Sequence, residues 1–123
     1  MFGFHPANLA FRLVLELAAF AALAIGGYAI GSGALSWVLA VGLPIAGMAA
    51  WGTFNVPGDR SRSGEAPVPV PGAIRLLVEA SVFGVAIVVV SFANQTYALA
   101  LLVGVIVHYV LSIDRIKWLL SNR

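Results

Sequence analysis

Arg12-Leu-Val-Leu-Glu16-Leu-Ala-Ala-Phe20 places two charged residues inside an apolar part of this 123-residue chain. It lies in an apolar run over residues 8–30, and such a run can cross a bilayer as a helix, because a span needs about 20 mostly apolar residues. The whole chain is 61% hydrophobic and 10% charged, whereas about a quarter of the residues in a soluble domain are charged. The composition therefore excludes a water-soluble globule.

Four runs of this kind follow one another, separated by polar or Pro/Gly-rich breaks. They cover residues 8–30, 35–54, 73–92 and 97–113. The third run contains the β-branched stretch Val85 to Val90, but an open strand in lipid leaves its backbone unsatisfied, so a helix is favoured. The sequence predicts an all-α fold, an integral membrane four-helix bundle that forms a single transmembrane domain over residues 1–123. The connection 55–72 is predicted to be a loop containing a flexible linker, and the tail 114–123 to lie at the membrane interface.

Charge in the connections predicts the orientation, because Lys and Arg concentrate on the cytoplasmic side of short connections. With four spans, the N-terminus, the loop 55–72 and the C-terminus share one side. The basic residues all lie in or near those segments, namely Arg12, Arg60, Arg62, Arg75, Arg115, Lys117 and Arg123. The connections Gly31–Ser36 and Ala93–Thr96 on the other side carry no charge. We therefore predict a multi-pass protein of the plasma membrane with both termini cytoplasmic, whose tail is anchored by Trp118 and snorkelling cations.

A second copy of the opening stretch predicts internal symmetry. Span three contains Arg75-Leu-Leu-Val-Glu79-Ala-Ser-Val-Phe83, which repeats the Arg, Glu and Phe of span one at an offset of 75 − 12 = 63 residues. Charged residues are rare inside spans and tend to face the protein interior, so this match is more specific than matches of Leu or Ala. Because two helices separate the copies, we expect two parallel-repeat helical hairpins around an axis along the membrane normal.

The recurring charges also predict a polar layer in the cytoplasmic half of the bundle. A rise of about 1.5 Å per residue puts Glu16 roughly 12 Å and Glu79 roughly 9 Å from the cytoplasmic ends of their helices. The fourth helix descends toward the same side. The residues expected to face inwards in this layer are Asn8, Arg12, Glu16, Trp51, Arg75, Glu79 and His108. The outer half offers no ionisable acid or base apart from tyrosine.

Two interpretations of the couples Arg12/Glu16 and Arg75/Glu79 remain open. Each couple can form an i,i+4 ion pair that neutralises itself, and cross-helix pairs such as Arg12 with Glu79 would clamp the hairpins together. Alternatively, one carboxyl group holds a proton near neutral pH and serves as an acid, a base or a ligand contact. On this second interpretation Glu16 and Glu79 are the candidate catalytic residues. The candidate ligand-binding residues are Asn8, Arg12, Phe20, Trp51, Arg75, Phe83 and His108.

Other kinds of site lack the residues that they need. The chain has no cysteine, which excludes thiolate nucleophiles, Cys-ligated zinc and iron–sulfur clusters. His108 has no second His or acid at ligand spacing on its helix, so no metal site is expected and a packing role is the simpler interpretation. Nucleotide-binding, hydrolase and nucleic-acid motifs are missing too, and we expect no cofactor.

Several stretches of the sequence resemble a known family. They are Asn8-Leu-Ala-Phe-Arg12-Leu-Val-Leu-Glu16-Leu, Gly42-Leu-Pro44, Ala50-Trp51-Gly52-Thr-Phe54-Asn-Val-Pro57 and Arg75-Leu-Leu-Val-Glu79. Together they are similar to the YrdB family of small bacterial membrane proteins, and Trp-Gly-x-Phe-x-x-Pro is the most specific element. The resemblance covers nearly the whole chain and implies four helices, but it implies no activity, because the family is of unknown function. It does not extend to His108, and the connection Asp59–Pro71 is longer than the family's usual one.

Three classes of function are compatible with these features. The polar layer favours a cavity that is open to the cytoplasm or to lipid. Such a cavity would bind or process a lipophilic small molecule by means of an acid or an ion pair at its base. A small-molecule or ion transporter or channel needs a polar route through both halves, which the outer half does not offer within one chain but which an oligomer could build from neutral surfaces, so the second class is an oligomeric transporter or channel. A non-catalytic scaffold or partner-binding subunit is the third class. The expected partners are the lipid bilayer, a lipophilic ligand and a second copy in a homodimer, and not nucleic acid.

Overall fold

Helices dominate the computed structural model of the chain, which describes residues 4–59 and 66–121. The helices in these ranges are α1 (Pro6–Ile30), α2 (Ala34–Thr53), α3 (Gly72–Ser91), α4 (Gln95–Leu111) and α5 (Ile113–Ser121), and the strands are β1 (Phe54–Asn55) and β2 (Val68–Pro69). The predicted all-α class is thus confirmed. By length and composition α1, α2 and α3 could each cross a membrane, and α4 with α5 could form a fourth span that is bent by 69°. These apolar helices indicate a membrane protein.

Local sequence sets where the helices begin and turn. At the start of α1 the His5 side chain accepts a hydrogen bond from the backbone N–H of Ala7, and the following proline fits the first turn. At the start of α4 the Asn94 side chain accepts one from the N–H of Tyr97 at 2.9 Å. Between α1 and α2, Gly33 has a φ of 56°, a left-handed conformation that glycine adopts at least cost. The turn between α1 and α2 and the turn between α3 and α4 are both short, so each of these two helix pairs forms a hairpin.

α1 and α3 pack side by side and run in the same direction. Arg12 near the start of α1 bonds to Glu79 in the first half of α3, whereas Gly26 meets Val89 near the ends of the same two helices. The close approach requires glycine at position 26, because a Cβ there would collide with the side chain and the backbone of Val89. The parallel direction agrees with the direction expected from the repeat, while the repeat itself stays a prediction.

Adding a methyl group at Gly26 should push α1 and α3 apart. We expect Gly26→Ala to lower the free energy of unfolding by about 1–3 kcal/mol, the usual cost of overpacking. Gly42→Ala is the matched control, since a methyl group there has open space around it, and it should leave stability unchanged or raise it by up to about 1 kcal/mol, the gain in helix propensity. Thermal unfolding in detergent micelles measures both. Equal stability of the two variants would mean that the helices do not meet at Gly26.

α5 turns back across the end of the molecule at which α1 and α3 begin. The chain bends at Ser112, and α5 then packs against α3, where Gly72 lies directly against the backbone of Leu119. Arg115 and Leu119, one helical turn apart, are both fully buried at 0% exposure. The snorkelling role expected of the cations in the tail therefore does not hold for Arg115, because its guanidinium is directed into the protein.

The connection between α2 and α3 is ordered at both of its ends. β1 pairs with β2 in parallel, with Phe54 opposite Val68 and Asn55 opposite Pro69, and Asp59 is 1% exposed. The flexible linker predicted for this connection therefore does not extend to its two ends. Residues 60–65 lie outside the described residues. Three of the basic residues used to predict the orientation, Arg60, Arg62 and Arg123, are outside them too, and the orientation stays a prediction.

Candidate functional site

Six charged side chains meet at the end of the molecule where α1 and α3 begin. This charge cluster consists of Arg12 and Glu16 from α1, Arg75 and Glu79 from α3, Arg115 from α5, and Asp59 from the loop after β1. Its three cations and three anions balance in formal charge. All members except Glu16 are at most 2% exposed, and the side chain of Glu16 is 17% exposed. Ionised groups tolerate such burial only when they are paired and hydrogen-bonded.

Glu79 is the centre of the charge cluster. Its Oε2 accepts hydrogen bonds from three guanidinium groups, those of Arg12, Arg75 and Arg115, each at 2.8 Å. Its Oε1 accepts from Arg115 at 3.1 Å and from the hydroxyl of Tyr109. The i,i+4 pair of Arg75 with Glu79 and the cross-helix pair of Arg12 with Glu79 are thus both formed at the same carboxylate. One side chain connects α1, α3, α4 and α5.

Arg115 is held by a second carboxylate as well. Its Nη2 donates to Oδ2 of Asp59 at 2.6 Å and its Nε donates to Oδ1 at 3.3 Å. A guanidinium group presents a planar fork of donors that can bind two carboxylates at once. Arg115 therefore fastens both α5 and the loop after β1 to Glu79.

Trp51, at the end of α2, binds the more exposed acid of the cluster. Its indole Nε1 donates to Oε1 of Glu16 at 2.8 Å, and Arg12 donates to the same oxygen through Nε at 3.2 Å. The guanidinium carbons of Arg12 and Arg75 lie 5.1 Å and 4.7 Å from the centre of the indole ring, within the range of cation–π attraction. Arg75 also donates to the backbone carbonyls of Trp51 and Phe54, at 2.6 Å and 2.8 Å. The carbonyl groups at the end of α2 thus receive a charged donor.

The two phenylalanines singled out in the sequence lie beside Trp51. Phe20 contacts the indole edge-to-face at 6.4 Å between ring centres, and Phe83 does so at 5.2 Å. Phe83 also contacts the ring of Tyr109 at 6.3 Å. These T-shaped contacts form a continuous aromatic row from α1 to α4.

A second polar group, here termed the polar chain, joins α1 to α4 and consists of Asn8, His108 and Ser112. The amide Nδ2 of Asn8 donates to the hydroxyl of Ser112 at 2.8 Å, and its Oδ1 lies 3.0 Å from Nδ1 of His108. All three residues are buried. Among the described residues, the buried Nε2 of His108 has no hydrogen-bond partner, and neither has Nη1 of Arg12.

Apolar grooves open on the outside of the molecule close to these groups. The inner groove, of about 280 Å³, lies between α1 and α4 and is lined by His5, Ala7, Asn8, Phe11 and Leu111. A second groove of about 370 Å³ lies between α3 and α4, and its lining includes Ala80, Phe83 and Tyr109. The residues that the structure describes contain no group of three or more His, Asp or Glu side chains that could hold a metal ion.

The structure brings all the candidate residues from the sequence into these two neighbouring groups and the aromatic row. Sequence reasoning missed Asp59, Tyr109, Ser112 and Arg115. The sequence does contain a pattern that indicates a buried helix face in the tail, because Ser112, Arg115 and Leu119 recur at helical spacing. In the structure all three lie on the buried face of the bend. For Asp59 and Tyr109 the sequence carries no such signal.

Comparison with known proteins gives two matches. The model of the family described as "Protein of unknown function (DUF2568)" matches residues 10–107. The chain is also similar to the uncharacterized protein YrdB of Bacillus subtilis (strain 168), with 38% identity over 119 residues that cover 96% of this chain and 97% of the relative. No solved structure matches the chain. Both matches confirm the resemblance seen in the sequence.

Proposed function

Since the chain belongs to the DUF2568 family of unknown function, we propose from its geometry that it binds a lipophilic small molecule taken from the membrane. The observation that carries the proposal is the position of the inner groove. Two of its lining residues, Asn8 and Phe11, both contact the buried His108, at 3.0 Å between polar atoms and at 5.9 Å between ring centres. An apolar groove that ends on a few buried polar groups is typical of small-molecule sites.

The two candidate acids have different roles in this proposal. Glu79 accepts five hydrogen bonds from its neighbours, so we assign it the role of counter-ion that holds the helices together. Glu16 is partly exposed, and Arg12 and Trp51 both donate to its Oε1. If the ligand is also processed, Glu16 is therefore the acid that is able to exchange a proton with it.

The proposal includes four spans with both termini in the cytoplasm. The exposed Lys117 on α5 and the uncharged turns at the opposite end support this orientation. The inner groove then opens at the level of the cytoplasmic leaflet, since it lies between the beginning of α1 and the end of α4. A ligand would enter sideways from that leaflet.

Filling the inner groove should remove the ligand. We expect the protein, extracted in a mild detergent, to carry a bound lipophilic molecule that native mass spectrometry detects, and Ala7→Trp to lose most of it because the indole occupies the groove. Ala80→Trp, the matched control, fills the groove between α3 and α4 and should keep the molecule. A bound molecule that survives Ala7→Trp, or that is lost equally from both variants, would contradict the proposal.

A second candidate is a non-catalytic, partner-binding subunit. The balanced charge cluster supports it, because six paired charges fasten the helices into a rigid unit without the need for a ligand. This candidate predicts that wild-type protein carries no specific molecule and that it co-purifies with one defined membrane partner at fixed stoichiometry.

A further inference from the structure

The carboxylate of Glu16 is held by groups of its own hairpin, α1 with α2. Arg12, one helical turn before it, donates to its Oε1 through Nε at 3.2 Å, and the indole of Trp51 in α2 donates to the same oxygen at 2.8 Å. Phe20, one turn after it, packs edge-to-face on the Trp51 ring. Glu16 thus has one cation from its own helix and one ring donor from the second helix of the hairpin.

Glu79 has the same two kinds of donor in the hairpin of α3 with α4, and two more. Arg75, one turn before it, donates at 2.8 Å, and the hydroxyl of Tyr109 is the ring donor. In addition, the guanidinium groups of Arg12 and Arg115, which lie outside this hairpin, each bind Glu79 at 2.8 Å. Both oxygens of Glu79 are therefore occupied, and its side chain is 1% exposed.

No described cation from outside its hairpin reaches Glu16. Among the described residues none donates to its Oε2, and its side chain is 17% exposed. A carboxylate oxygen that is largely shielded from water is normally hydrogen-bonded. Oε2 of Glu16 is therefore open to a donor from outside the protein, at the place where Glu79 binds additional guanidinium groups.

The position of Glu16 indicates where this donor comes from. Trp51, which contacts it, lies two residues before the end of α2, and tryptophan is enriched at the level of the lipid head groups. Leu13 and Leu17, which precede and follow Glu16 on α1, are 54% and 60% exposed and give this surface the apolar character of a lipid-facing one. The donor is therefore expected in the head-group layer around the helices.

The chemistry of the donor follows from the charges. A primary ammonium group offers three N–H donors and a positive charge, whereas a choline ammonium group has no N–H. The charge cluster balances in formal charge, and a zwitterionic head group adds no net charge to it. We propose that Oε2 of Glu16 binds the ammonium group of an ethanolamine phospholipid. This site goes beyond the proposed function, since Glu16 contacts α2 whereas the inner groove lies between α1 and α4.

Two lipids with the same acyl chains test the role of the ammonium donors. Dioleoyl phosphatidylethanolamine and dioleoyl phosphatidylcholine differ in the methylation of the head-group nitrogen, and native mass spectrometry of the protein in detergent measures the binding of each. We expect the ethanolamine lipid to bind about three- to fivefold more tightly, the effect of one partly exposed ion pair. Glu16→Gln should abolish this preference. Asp114→Asn, the matched control, changes a partly exposed acid of α5 and should retain it.

Solid-state NMR in lipid bilayers locates the ammonium group without a change at Glu16. Ethanolamine head groups labelled with ¹⁵N should dephase the signal of a ¹³C-labelled Glu carboxylate. The chain has three glutamates, Glu16, Glu65 and Glu79, so Glu65→Gln leaves two, of which Glu79 is 0% exposed. Dephasing in Glu65→Gln therefore reports on Glu16, and it decides the case even if Glu16→Gln does not fold.

Four results would each overturn the inference. They are equal binding of the two lipids by the wild-type protein, a preference that survives Glu16→Gln, a preference that Asp114→Asn also removes, and a Glu16 carboxylate that the head groups do not dephase. Each of them leaves the proposed function standing, because Ala7→Trp tests the molecule in the inner groove separately.

Discussion

Glu79→Gln should lower the free energy of unfolding by about 3–5 kcal/mol, or prevent accumulation of folded protein, because it removes the charge that three buried guanidinium groups share. The amide is close in shape to the carboxylate, so the loss measures charge compensation and not packing. The substitution Glu79→Gln leaves three cations against the two remaining acids of the charge cluster. Thermal unfolding in detergent, monitored by circular dichroism, measures the difference in stability between Glu79→Gln and the wild-type protein.

Glu16→Gln is the matched control for that measurement. The same chemical change at a side chain with 17% exposure and two donors should cost only about 1 kcal/mol or less. The double variant Glu79→Gln/Arg115→Met should lose less stability than the sum of the losses in its two single variants, since the two residues are in direct contact. Equal effects of Glu79→Gln and Glu16→Gln would show that Glu79 is not the centre of the cluster.

Gly72→Ala is expected to detach α5 from the body of the protein. A Cβ at Gly72 would collide with the backbone of Leu119, and backbone cannot move aside as the end of a flexible side chain can. We expect a loss of stability of about 3 kcal/mol, the upper end for overpacking, because displacement of α5 also draws Arg115 away from Glu79. Gly84→Ala on the same helix has open space and should be close to neutral.

Cysteine labelling reports the position of α5 directly, because the chain has no cysteine of its own. Leu119→Cys, at a position with 0% exposure, should resist a water-soluble maleimide, and adding Gly72→Ala should make it reactive. Leu120→Cys, at 52% exposure, should react in both backgrounds. If Leu119→Cys reacts freely without Gly72→Ala, α5 does not pack as described.

The helical framework could be predicted because length and composition determine it. Each apolar run is as long as a span requires, and the breaks between runs contain Gly, Pro or uncharged polar residues. Observed α1 (Pro6–Ile30) and α3 (Gly72–Ser91) begin and end close to the predicted spans 8–30 and 73–92. The polar layer followed from the same logic, since charges at equal depth in neighbouring helices are expected to meet.

Asp59 and Arg115, the other two members of the charge cluster, were not predicted, for an electrostatic reason. Arg12, Glu16, Arg75 and Glu79 already balance in charge, so their pattern predicts no further cation or anion. Arg115 reaches the charge cluster only because the chain bends by 69° after α4. Its charge is balanced by Asp59, which is 56 residues away in the sequence. Such a contact depends on tertiary packing and leaves no local pattern around Asp59.

The carboxylate of Glu79 binds guanidinium groups from three helices, α1, α3 and α5. Solid-state NMR dephasing between ¹³C-labelled Glu carboxylates and ¹⁵N-labelled Arg guanidinium groups, with the protein in lipid bilayers, measures those contacts directly. We expect strong dephasing of the Glu79 carboxylate that weakens stepwise in Arg12→Lys, Arg75→Lys and Arg115→Lys. If the Glu79 signal is not dephased, or responds to Arg75→Lys alone, Glu79 does not bind guanidinium groups from three helices.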